Sequence, residues 1–202
     1  MELGLTEGSP NDHSGQGTAC RRFFFANAYL ELLWVHDMTE ATSEPVRCTR
    51  LWERWSGRTD GTCPFGFCFH PTDRDKPDPP FASWQYRPAY LPDPLSIEIA
   101  TNVTVLSEPM LCYLAFAQRP DAYLAARHQP LQHANGFREI TRVTLVKPAL
   151  TAEVSPELQA VVDANLIELR AGTEYFVELG FDREQQRRRA DCRPALPLIF
   201  CW

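Results

Sequence analysis

Glu31 stands inside YLELLW, residues 29–34, and Glu98 inside LSIEIA, residues 95–100. Strand side chains alternate between faces, so Leu30, Leu32 and Trp34 share one face while Glu31 sits with Tyr29, Leu33 and Val35. An unpaired carboxylate among apolar groups costs several kcal/mol, a large part of what keeps a domain folded. Glu31 therefore has a partner or lies at a wet strand end. YFVELGF, residues 175–181, repeats the pattern with Glu178. A second cluster is SWQYRPAYLP, residues 83–92. Trp84 and Tyr86 share a strand face, and Arg87 and Tyr90 follow at a bend punctuated by proline, which makes a wall able to stack a ligand and hold its acid group.

The other reactive side chains read as structural. His13, His36, His70, His128 and His133 show neither HxH nor HExxH spacing and are expected in loops. Cys63 and Cys68 are five positions apart, face opposite ways on a strand and cannot share one metal. HSGQGT, residues 13–18, leads into a strand instead of opening a helix, which argues against a phosphate loop. Arg187, Arg188 and Arg189, beside Asp182, Glu184 and Asp191, read as a solvated loop.

The elements that must position these groups alternate short strands with few helices. Extended runs at 18–25 and 28–35 break at Ala26-Asn27, as a hairpin does. A short helix or turn is expected at 51–55, strands at 64–69, 83–86 and 95–100, and an exposed connection at 71–80. Periodicity leaves 110–116 open between helix and strand. FREITRVTLV reads as a strand, and Ser155-Pro156-Glu157 followed by Leu158, Val161 and Val162 reads as a capped helix. Strands then follow at 166–169, 175–181 and 196–202, expected to pair antiparallel with the helix on one side. Leu3 and Leu5 read as the end of a helix.

At 202 residues the chain can bury a sizeable core without staples. A formal net charge of −6 excludes a phosphate-backbone binder, and no apolar run approaches the roughly 18 residues of a membrane span. Seven cysteines, several in apolar runs, with no secretory leader at the start, lead to the expectation of reduced thiols in the cytoplasm.

HSGQGT before a strand pair, the YLELLW, LSIEIA and YFVELGF series, and the strand, helix, three-strand pattern together resemble the glyoxalase-like branch of the vicinal oxygen chelate superfamily. The resemblance implies an α+β fold of repeated βαβββ modules curling into cupped, mostly antiparallel sheets. It implies a paired-module domain over 1–120 without its first strand, and a further module over 121–202 packed on it. In that superfamily a divalent metal is held by ligands from the first and last strands of each module. Glu31 and Glu98 match last-strand positions, and Glu31 doubles as the proton-moving group. The opening strand of the second module has Phe65, Gly66 and Phe67 where a ligand histidine is expected. The expected function is accordingly small-molecule binding lined by Trp84, Tyr86, Arg87 and Tyr90, with a lyase or dioxygenase using zinc, manganese, nickel or iron as the alternative. The expected partners are a small ligand and a second copy of the chain in a homodimer, and neither nucleic acid nor membrane.

Overall fold

The computed structural model describes residues 3–72, 78–148 and 153–202. Those residues form an α+β structure of twelve strands in three sheets with three α-helices. The first sheet is an antiparallel meander of β1 (Asn11–His13), β2 (Thr18–Phe24) and β3 (Tyr29–Val35). HSGQGT is its first turn. Gly15 and Gly17 take positive φ there and donate their backbone N–H groups to one Glu40 carboxylate oxygen at 3.0 and 2.9 Å. A Cβ on Gly17 would lie 2.2 Å from the Asp37 carbonyl oxygen, so the turn requires glycine. Glu40 belongs to α1 (Met38–Ala41), whose N-cap Asp37 accepts from the Thr39 and Glu40 amides. The amides that a phosphate would use thus already hold a carboxylate.

After α2 (Leu51–Ser56) comes the second sheet, built from β4 (Gly66–Phe69), β5 (Ser83–Tyr86), β6 (Ile97–Ala100) and β7 (Met110–Tyr113) in the order β4-β7-β6-β5. β5, β6 and β7 repeat the antiparallel meander of the first sheet, and β4 adds parallel to β7. The undecided stretch at 110–116 contains a strand because its two faces have separate partners. Leu111 and Tyr113 pack toward α3 (Pro156–Asp163), whereas Met110 and Cys112 pack with Tyr86 and Ile99.

The third sheet runs β11 (Arg189–Asp191), β12 (Leu198–Cys201), β10 (Phe176–Phe181), β8 (Ile140–Pro148), β9 (Glu168–Gly172). Ser155 caps α3 by accepting from the Leu158 amide. Most pairs are antiparallel as expected, but two in this sheet are not: β8 is parallel to β9, and β10 to β12. α3 carries the chain from the end of β8 back to the start of β9, so the two strands point the same way. Arg189, expected in a loop, opens β11 instead. Residues 3–10 are irregular and not a helix end; Leu3 and Leu5 pack on the core. That core joins the two halves of the chain. Phe23, Leu30 and Leu32 of the first sheet meet Leu145, Val177 and Leu179 of the third, beside stacked Phe137 and Phe181 rings 4.4 Å apart. No helix among the described residues is long and apolar enough to cross a membrane.

Candidate functional site

With Leu30 and Leu32 turned to the third sheet, the opposite face of the first sheet carries His13, Thr18, Cys20, Arg22 and Glu31. Register sets this: His13 lies opposite Thr18, Cys20 opposite Asn11 and Leu33, and Arg22 opposite Glu31. Ligand atoms of His13, Cys20 and Glu31 all lie within 4.8 Å of one another. The Cys20 thiol and the Glu31 carboxylate are close enough for each to act on the other's protonation. Arg22, the cross-strand neighbour, is engaged elsewhere. Its Nε donates to the Ser9 carbonyl at 2.9 Å, its Nη2 to Ser9 Oγ and the Pro10 carbonyl, and it lies over the Phe24 ring.

Burial therefore dominates the protonation of all three groups. It raises the Glu31 carboxyl above its ordinary range, only partly offset by the Cys20 thiol and the Arg22 charge. Burial, then the Glu31 charge, pushes the Cys20 thiol up to about 12. Burial and the Arg22 charge lower His13, leaving a neutral imidazole at neutral pH with a lone pair to give.

A buried hydrogen-bonded chain orients His13 and reaches the second sheet. The Tyr86 hydroxyl donates to Gln16 Oε1 at 3.0 Å, Gln16 Nε2 donates to Thr18 Oγ1 at 2.8 Å, and Thr18 Oγ1 lies 2.9 Å from His13 Nδ1. The Tyr90 ring packs on the imidazole with centroids 4.8 Å apart. Thr18→Val should strand the Gln16 amide and His13 Nδ1 and cost on the order of 2 kcal/mol. Chemical denaturation would measure that loss, and the His13 ring nitrogen shifts in an NMR spectrum should move with it.

The second sheet contributes Cys68 and Cys112, register partners on β4 and β7. Cys68 is solvent-exposed, yet the neighbouring Cys112 thiol and desolvation push its own thiol well up. The Tyr86–Gln16 hydrogen bond and the Tyr90–His13 ring contact bring the second sheet against the first. The Glu31 charge acts on Cys68, and both act on Tyr29 and Tyr90, whose hydroxyls burial pushes up first. The two sheets thus face one another across a cup.

The sequence-predicted residues divide accordingly. Glu31 lies in the cup, Tyr90 and Tyr86 border it at His13 and Gln16, and Trp84 packs edge-on to Tyr86 on the same sheet face. Arg87 is exposed, donating to Gln85 Oε1 at 3.1 Å. Glu98 does not join Glu31. It sits on β6, the third strand of its sheet and not the last, opposite Gln85 and Tyr113, and accepts from Ser83 Oγ at 2.8 Å. The last strand is β7, and the third residue of β7, matching Glu31 as the third of β3, is Cys112. Glu178 is architectural: buried, it is approached by Arg170 at 2.7 Å, Arg142 at 3.5 Å and Arg189 at 3.6 Å.

Four cup residues escaped the sequence reading: His13, Cys20, Cys68 and Cys112. His13 was expected in a loop but ends β1, and Cys68 was expected in the core. Motif spacing could not find them because the cluster is assembled by register across strands. The detectable signal was the turn itself, since HSGQGT places His13 opposite Thr18 and so on the face of Cys20 and Glu31.

Fold and site define an α+β protein with a polar, three-donor cluster in a cup between two sheets. No family model, no curated protein and no solved structure matches this chain.

Proposed function

We propose that this chain is a glyoxalase-like protein of the vicinal oxygen chelate type that binds a small molecule in the cup, with a divalent metal held by His13, Cys20 and Glu31. The observation that carries the reading is the convergence of nitrogen, sulfur and oxygen donors from three strands within 4.8 Å. Donors around one tetrahedral zinc at about 2.0 to 2.3 Å lie roughly 3.5 to 4 Å apart, so small side-chain rotations close the set. A thiolate among the donors favours zinc, nickel or iron over manganese.

The repeated meander supports the module reading, since β5-β6-β7 copies β1-β2-β3. So does the order strand, α3, strand, strand along residues 140–181. The proposed organisation is a paired-module domain over 1–120 and a further module over 121–202. A bound ion would act as a Lewis acid toward ligand oxygens. The chain's own groups supply the rest. His13 offers a neutral nitrogen, oriented through Thr18, and Tyr90, Tyr86 and Trp84 form an aromatic wall. A lyase or dioxygenase is the second reading, favoured by Glu31, a buried carboxyl held above its ordinary range beside the other two groups and so placed to take up and give back a proton.

Cobalt(II) titration tests the proposal. The chain should bind one equivalent with a thiolate-to-cobalt absorption band that is missing in Cys20→Ser, and His13→Ala should bind more weakly. Affinity should rise with pH, because Cys20, with its pKa of about 12, and Glu31 must both lose protons on ligation. Absence of stoichiometric binding, or binding indifferent to both substitutions, would sink the reading.

A further inference from the structure

We propose that Cys68 and Cys112 form a second site in the same cup, which takes one soft monovalent cation of the Cu(I) type between their two sulfurs. Three observations carry this beyond the cluster at His13. The two cysteines are direct register partners on parallel β4 and β7, so their side chains leave adjacent backbones toward the same face. Both carry free thiols, and neither is in a disulfide. One wall of the pair is open, because Cys68 is solvent-exposed while Cys112 is packed among Ile99, Met110 and Trp84. An ion can therefore enter from the cup and find a second sulfur held in place behind the first.

Donor chemistry selects the ion. Thiolate pairs without nitrogen or oxygen ligands suit soft ions, and two-coordinate binding suits a d10 monovalent ion better than zinc, which seeks four ligands. The step balances as Cu⁺ plus two thiols giving a bis-thiolate cuprate of charge −1 and two protons. Those protons leave through the solvent-facing side of Cys68. The sulfurs keep their oxidation state, so no oxidant enters the step.

The test is an anaerobic titration of the reduced chain with Cu(I) against bicinchoninate as competing chromophore. The parent chain should withdraw one equivalent. Cys68→Ser should bind it more than about 100-fold more weakly, since even loss of an outer-shell partner costs 10- to 100-fold. Cys112→Ala, checked for folding by circular dichroism, should show the same loss. Cys20→Ser and His13→Ala should retain the site, which separates this proposal from the one at the first sheet. Equal affinity in the parent and Cys68→Ser would overturn it, and so would a loss that follows Cys20→Ser instead, or tight binding that survives in folded Cys112→Ala.

Discussion

Arg54→Ala should lose on the order of 4 kcal/mol of stability, a large fraction of what a domain of this size has. Arg54 projects from α2 into the interior, where it is only 5% exposed. Its Nη1 donates to the carbonyls of Glu108 at 2.5 Å and Cys63 at 3.4 Å, and its Nη2 to that of Val103 at 3.1 Å. Its Nε has no partner among the described residues. Burial lowers its pKa, opposed by the charges of Cys63, Cys112 and Glu108, among others. Alanine removes the donors and leaves three buried carbonyls behind, each costing about 1 to 3 kcal/mol unless water reaches it. The loss spreads beyond one helix. Cys63 leads into β4 and Glu108 into β7, so the same guanidinium ties together the two strands that carry Cys68 and Cys112. Denaturant unfolding should show a lowered midpoint at unchanged slope. Arg54→Lys should recover part of the loss, because one ammonium cannot span three carbonyls. A loss below about 1 kcal/mol would mean that water replaces the guanidinium without penalty.

Local signals were legible where one element decides its own conformation. Ser155-Pro156 announced α3, and the break at Ala26-Asn27 announced the hairpin that pairs β2 with β3. The alternation in YLELLW correctly put Leu30 and Leu32 on one face and Glu31 on the other, and the first of these is the core face. What the sequence did not disclose depends on which strands become neighbours. LSIEIA looks like YLELLW, yet its strand is third in its sheet, so Glu98 bonds Ser83 instead of joining Glu31. Cys112 reaches the Glu31 position without resembling it. The parallel pairing of β10 with β12 was also invisible, because the short β11 between them, at the arginine run, reads as a charged loop. Arg54 lies in LWERWS, where nothing in the pattern distinguishes a buried arginine from a solvated one.

Glu31→Gln should move stability in opposite directions with and without metal. In the metal-free chain, burial raises the Glu31 carboxyl above its usual 4.5 in the folded state. The folded state then holds a proton that the unfolded chain has released, over the window from the ordinary carboxyl pKa up to the raised folded one. Stability falls as pH climbs through that window. Below it both states are protonated and the penalty is absent; above it the penalty is complete. Glutamine carries no charge to desolvate. In chelator at neutral pH, Glu31→Gln should therefore be more stable than the parent, with the difference closing as the buffer is taken below the ordinary carboxyl pKa. Zinc reverses the order. At a free concentration 100 times its dissociation constant, a bound ion stabilises the parent by about 2.7 kcal/mol, and the amide, a much poorer ligand, forfeits most of that. Thermal melts of both proteins, in chelator and in zinc, across the acid range would display the crossing. The alternative outcome is equally distinct. A loss of several kcal/mol in chelator at neutral pH would mean that Glu31 neutralises a buried cation, since stranding such a partner costs about 3 to 5 kcal/mol. The engagement of Arg22 with Ser9 and Pro10 argues that it does not. A Glu31→Gln variant that is more stable in chelator would show that the acid of YLELLW sits at a cost to the metal-free fold.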